Sequence, residues 1–160
     1  MSNMEPEFFN VPPDREIRSS RVFGCPRELL FRTWTDPDLL AAWWGPAGFT
    51  NTFYEFDPQP GGKWLFTMHG PDKGNYQNEC VFLKVDPPSL IAWHRISKPI
   101  FRLVATFDAT AEGKTELTFR MQFNTKEDCD KIRKFAPDKN EENFDKLEVL
   151  LSAIALSAPE

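Results

Sequence analysis

The sequence is poor in the residues that build redox, metal and nucleophile sites. Its three cysteines, Cys25, Cys80 and Cys129, are odd in number, far apart and without a CxxC spacing. Neither a disulfide framework nor a cysteine zinc site is indicated, and reduced thiols fit best. The two histidines, His69 and His94, are not spaced as metal ligands, and no GxSxG, P-loop or GxGxxG motif occurs. No metal and no cofactor are expected. A run of about 18 apolar residues is missing, as are the basic and apolar regions of a leader, so the expectation is a cytoplasmic protein without a membrane span. A basic footprint is missing too. With a net charge of -5, nucleic acid and anionic membrane are poor partners, because both are held through Lys and Arg that release counterions.

What is abundant is aromatic carbon and proline. Fifteen Phe and five Trp among 160 residues, with 14 Pro, describe a globular, turn-rich chain. At this length one domain can bury roughly two-thirds of its unfolded surface and fold around a single core. Residues 1–14 mix Pro6, Pro12 and Pro13 with Phe8, Phe9 and Val11. They read as a flexible, extended N-terminal arm whose aromatics lie across the body, ahead of one domain over residues 15–160.

The domain opens with a strand from Arg15 to Gly24. Pro26 then sits where a first helical residue tolerates a missing N–H, before Leu29, Leu30, Phe31, Thr33 and Trp34 at helical spacing. Asp36-Pro37 caps a second short helix that Gly45-Pro46 stops. From Thr50 onward the pattern is β. Six further strands are predicted over 50–56, 62–69, 75–86, 90–97, 101–109 and 115–124, with connections short enough for antiparallel neighbours. Trp64, Phe66 and Met68 share one face of their strand and Leu65, Thr67 and His69 the other. Leu117, Phe119, Met121 and Phe123 likewise oppose Thr118, Arg120 and Gln122, a face suited to water. A charged helical segment over 125–136 precedes a terminal helix, with Asp138 and Glu141 as a capping box and Phe144, Leu147, Leu151 and Ile154 as its apolar stripe. That stripe can cover the bulky face of the sheet.

This order is α+β and resembles the helix-grip, or START-like, architecture: a curved antiparallel sheet of about seven strands, two short helices after the first strand, and a long C-terminal helix over the sheet. The run from Pro26 to Pro46, with Phe56-Asp57-Pro58, Gly61-Gly62, Gly70-Pro71-Asp72-Lys73-Gly74 and Val85-Asp86-Pro87, is similar to the Hsp90 ATPase activator homologue family. The resemblance covers roughly Arg15 to Leu156. Where that family often has Gly-Trp at the start of the last helix, this chain has Asn143-Phe144. Chaperone activation is not expected to carry over, because the eukaryotic activator also uses a separate N-terminal domain.

The superfamily hosts carriers, cyclases and many uncharacterised members, so function must be argued from the site. The set Trp43, Trp44, Phe49, Phe53, Trp64, Phe66, Met68, Tyr76, Phe119 and Met121, with Phe144, Leu147 and Leu151 from the helix, either fills a core or lines a cavity for a small apolar or aromatic molecule. His94 and Tyr76 are the polar groups that would orient such a ligand. In an enzyme of cyclase, aromatase or hydrolase type the same cavity would place a substrate against His94 or Tyr76 for acid–base help. His94 is placed there only if the face it shares with Leu90, Ala92 and Ile96 is the one under the helix. A third possibility is a protein-interaction or stress-response module, and a homodimer is left open.

Overall fold

The structure, a computed structural model, describes residues 6–157. The first five residues of the expected arm lie outside that range. Those that follow are not extended: Pro6–Phe9 form one helical turn (α1) and Pro13–Arg15 a short 3-10 turn. Seven strands follow, β1 (Glu16–Phe23), β2 (Thr50–Phe56), β3 (Lys63–His69), β4 (Asn75–Asp86), β5 (Leu90–Arg95), β6 (Phe101–Ala109) and β7 (Thr115–Gln122). They make one curved antiparallel sheet in the order β1-β7-β6-β5-β4-β3-β2. Bulges at Phe53/Glu55 in β2 and Phe82/Lys84 in β4 add bend and twist.

Consecutive strands from β2 to β7 pair as hairpins, whereas β1 closes onto β7 and lies at the opposite edge from β2. The chain therefore has to cross the sheet between β1 and β2. It does so with α2 (Arg27–Thr35) and α3 (Pro37–Trp43). Asp36 ends the first and caps the second, its Oδ1 accepting from the N–H groups of Asp38 at 3.0 Å and Leu39 at 3.4 Å. Pro26 is the N-cap of α2 rather than its first helical residue. The turn between β2 and β3 depends on Gly62, where a Cβ would come within 2.0 Å of the Asp57 carbonyl oxygen.

After β7 come α4 (Lys126–Arg133) and α5 (Ala136–Ser157). The terminal helix starts two residues before the predicted cap at Asp138. Pro137 is tolerated in the first turn, which has no N–H partners to lose, and Lys139 N–H already reaches the Phe135 carbonyl at 3.1 Å. Helix α5 then lies along the concave face. Arg21 on β1 grips it through Glu141 at 2.7 Å, Glu148 at 2.8 Å and Asp145 at 2.9 Å.

The convex face is not wet. Phe8, 2% exposed, packs on Leu90, Ala92 and Val104. The guanidiniums of Arg102 and Arg120 lie over the Phe8 and Phe9 rings at 5.0 and 5.1 Å. Gln122, read from alternation as solvent-facing, is therefore buried, its Nε2 donating to the Phe8 carbonyl at 2.6 Å, and Thr118 on the same face is buried too. Thr67 is buried as well, beneath the Tyr54 hydroxyl at 3.0 Å.

Candidate functional site

Under α5 the concave face is built from interlocking rings. Trp34 from α2 and Trp43 and Trp44 from the end of α3 meet Trp64 of β3 and Trp93 of β5. Trp44 has all four as neighbours, with centroids 5.4–6.0 Å away. Trp64 stacks on Phe66 at 4.1 Å and takes the Phe53 edge at 5.4 Å. Phe119 meets the Phe144 edge from α5 at 4.7 Å. Such ring pairs add to the area they bury.

Of the residues singled out from sequence, Trp43, Trp44, Phe53, Trp64, Phe66, Met68, Phe119, Met121, Phe144, Leu147 and Leu151 come together in this cluster. Phe49 and Tyr76 pair with each other at 6.1 Å. Tyr76 is 45% exposed, and its hydroxyl donates to Asp72 at 2.6 Å. That bond raises the Tyr76 pKa and lowers that of Asp72, so the phenol is held protonated at the rim. His94 is separated from the cluster altogether. On β5 the residues facing α5 are Ile91 and Trp93, which puts Leu90, Ala92 and His94 on the convex face. Trp34 and Trp93, central to the cluster, were not among the sequence candidates. The signal available for Trp34 was its place on the apolar side of α2.

The polar groups of the concave side are few. Trp43 Nε1 donates to the Thr33 carbonyl at 2.9 Å, but the buried indole N–H groups of Trp34 and Trp64 meet no acceptor among the described residues. Burial pushes the Cys25 thiol up to about 11 and Cys80 up to about 12, and it raises Cys129 as well. None of the three is a thiolate nucleophile near neutral pH. His69, at the open edge of the sheet, bonds Thr52 Oγ1 at 2.8 Å and Asn75 Oδ1 at 2.6 Å, in an exposed setting. Among the described residues no group of His, Cys, Asp and Glu could hold a metal ion.

Open space lies along the two flanks of α5. On one flank a cleft of about 550 Å³ runs between the end of β1, the start of α2 and the helix, lined by Phe23, Cys25, Leu29, Leu151, Ser152 and Ala155. On the other a cleft of about 460 Å³ runs between α3 and α5 past Ala42, Ala47, Val149, Leu150 and Ala153. Lys146 closes the head of the second, donating to the carbonyls of Phe49 at 2.9 Å and Trp44 at 3.4 Å. Burial lowers its pKa.

A family model described as activator of Hsp90 ATPase homolog 1-like protein matches residues 24–152. No curated protein is matched. Several solved structures share the fold. One protein from Nitrosomonas europaea is 22% identical with a TM-score of 0.83, over 91% of this chain and 99% of that one. A protein from Mycobacterium smegmatis is 22% identical with a TM-score of 0.79, over 88% and 92% of the two chains. The AHSA1 protein from Silicibacter pomeroyi is 18% identical with a TM-score of 0.71, over 86% and 98%. Among the described residues no helix is long and apolar enough to cross a membrane.

Proposed function

We propose that this chain, which belongs to the activator of Hsp90 ATPase homolog 1-like family, binds a small apolar or aromatic molecule between its sheet and its C-terminal helix. The observation that supports this is the cleft of about 550 Å³ between β1, α2 and α5, walled by Phe23, Leu29 and Leu151. Its size suits a small organic ligand, and its walls are mostly apolar. Leu151 is only half-buried although it belongs to the stripe that faces the sheet. A ligand seated there would complete the burial that the helix leaves unfinished, at roughly 25 cal/mol per Å² of apolar surface removed from water. His94 and Tyr76, the residues offered for chemistry, do not line this cleft, so binding rather than turnover is the reading.

The test uses Nile red, a neutral apolar fluorophore, on the folded full-length chain. Binding should saturate at micromolar affinity and raise the melting temperature, because a ligand that binds only the folded state stabilises it by about 2.7 kcal/mol at a hundredfold excess over Kd. Leu151→Trp should fill the cleft and abolish the signal, whereas Leu150→Trp, on the other flank, should leave it. Failure of the native chain to bind, or binding unaffected by Leu151→Trp, would overturn the reading.

A further inference from the structure

The cleft between β1, α2 and α5 is not electrically neutral, and its charge narrows the class of ligand. Among the described residues that line it, Glu148 alone is charged. Its Oε1 accepts from Arg21 at 2.8 Å, but that guanidinium is shared with Glu141 at 2.7 Å and Asp145 at 2.9 Å. The three acids follow one another at four and three residues along α5, so all of them meet β1 from one side of the helix. Three carboxylates against one guanidinium leave two negative charges. Burial works to lower the Arg21 pKa, yet the carboxylates raise it on balance. Glu141, Asp145 and Glu148 make no ion pair with a second cation among the described residues. Residues 1–7 and 157–160 contain no Lys or Arg that could supply one.

Two further features of the cleft have the same sign. Ala155, on its wall, stands in the last turn of α5, where the helix dipole is negative and no basic residue offsets it. Ser152 presents a hydroxyl that makes no hydrogen bond among the described residues and is free to accept one. The Cys25 thiol, with its pKa pushed up to about 11, adds no charge near neutral pH. The cleft on the other flank of α5 differs, because there Lys146 stands with Glu142 and Asp145 and an incoming cation would meet a like charge.

We propose, resting on the binding reading above, that the ligand of this cleft is an apolar or aromatic amine, its body against Phe23, Leu29 and Leu151 and its ammonium beside Glu148 and Ser152. An ammonium brings three N–H donors and no acceptor, which matches a wall that offers a carboxylate and a hydroxyl. A carboxylate with the same body would face the surplus negative charge around Arg21, and that repulsion is what gives selectivity. A neutral alcohol gains the hydrogen bond without the charge.

Isothermal titration calorimetry of the full chain at neutral pH and low salt tests the assignment with three probes that share one body: phenylbutylamine, phenylbutanol and phenylbutanoate. The amine should bind at least about tenfold more tightly than the carboxylate, the worth of one charged hydrogen bond, with the alcohol between them. Added salt should shrink that ratio, because the acids around Arg21 are largely exposed. Glu148→Gln should bring amine and carboxylate to near parity. The substitution removes one exposed ion pair, so the chain should stay folded, which its melting temperature checks. Leu151→Trp should abolish amine binding, and Leu150→Trp, on the other flank, should leave it. Nile red binding by a chain that takes the amine no more tightly than the carboxylate would overturn the amine assignment and leave the binding reading in place. Binding of neither Nile red nor the amine would overturn both. An amine preference that survives Glu148→Gln, or amine binding that survives Leu151→Trp, would mean that the net charge of -5 attracts the cation rather than this cleft, and would also overturn the assignment.

Discussion

Asn143 on α5 holds the chain after α3 with both ends of its carboxamide: Nδ2 donates to the Trp43 carbonyl at 2.9 Å and Oδ1 accepts from the Gly45 N–H at 3.3 Å. The residue is 6% exposed, so water cannot replace either bond. Asn143→Ala would leave a buried carbonyl and a buried N–H unpaired and should cost about 2–4 kcal/mol. Asn143→Asp should also destabilise, since it sets a carboxylate oxygen against the Trp43 carbonyl. Urea denaturation checks both, and an unchanged midpoint for Asn143→Ala would mean that the tie between α5 and α3 carries no stability.

The stripe of α5 is uneven. Phe144 and Leu147 are fully buried, while Leu151 and Ile154 are only partly covered. Leu147→Ala should therefore cost about 3 kcal/mol, the usual range for a closed core site, and Leu147→Asp more, because it buries an unpaired charge. Leu151→Ala should cost less than about 1.5 kcal/mol, because much of its side chain already meets solvent. Equal losses at the two leucines, measured by thermal unfolding, would contradict a helix that grips the sheet with its N-terminal half alone.

Local rules were legible in the elements themselves. Trp64 and Phe66 share the buried face of β3, and the Asp36-Pro37 cap and the twelve residues of β4 stand as the sequence indicates, although Thr67 on the opposite face of β3 is buried too. Strand β5 was not legible. Leu90, Ile91, Ala92 and Trp93 are each at most 1% exposed, so nothing in the pattern says which parity faces α5, and the placement of His94 under the helix failed for that reason. The buried Thr118 and Gln122 hide the same cause: a polar strand face reads as wet unless a distant segment is known to cover it. Over Gln122 and Arg120 that segment is Phe8–Phe9, more than a hundred residues away in sequence. The five tryptophans show the converse. Their abundance announced a crowded aromatic centre, but only the crossing of α2 and α3 between the two sheet edges decides which of them meet.

The same cover yields a prediction. Phe8 joins Leu90, Ala92 and Val104 into a second, smaller core on the convex face. Phe8→Ala should cost about 3 kcal/mol and expose that face. Nile red binding on the concave side should be unaffected at temperatures where the variant is folded. Loss of Nile red binding with no change in stability would mean that the two faces are not independent.

The last prediction concerns alkaline pH. Desolvation raises Cys25 to about 11 and Cys80 to about 12 and moves Cys129 the same way, whereas an unfolded thiol titrates near about 8.5. Below that unfolded value both states hold the proton and the thiols add no pH dependence. Above it the unfolded chain loses protons that the folded chain keeps, so stability falls as pH rises toward the folded values. Lys146 works in the opposite direction. Burial lowers its pKa, so the cost of holding its charge inside is relieved as pH rises through the folded value. The two contributions are separated by substitution. Under reducing conditions, Cys25→Ala should flatten the decline of melting temperature between about pH 8 and pH 10 relative to the parent chain, while lowering it by a constant amount at neutral pH for the lost packing. Parallel curves for the two chains would mean that the Cys25 thiol ionises as readily in the folded protein as in the unfolded one, and that the core around it is open to water.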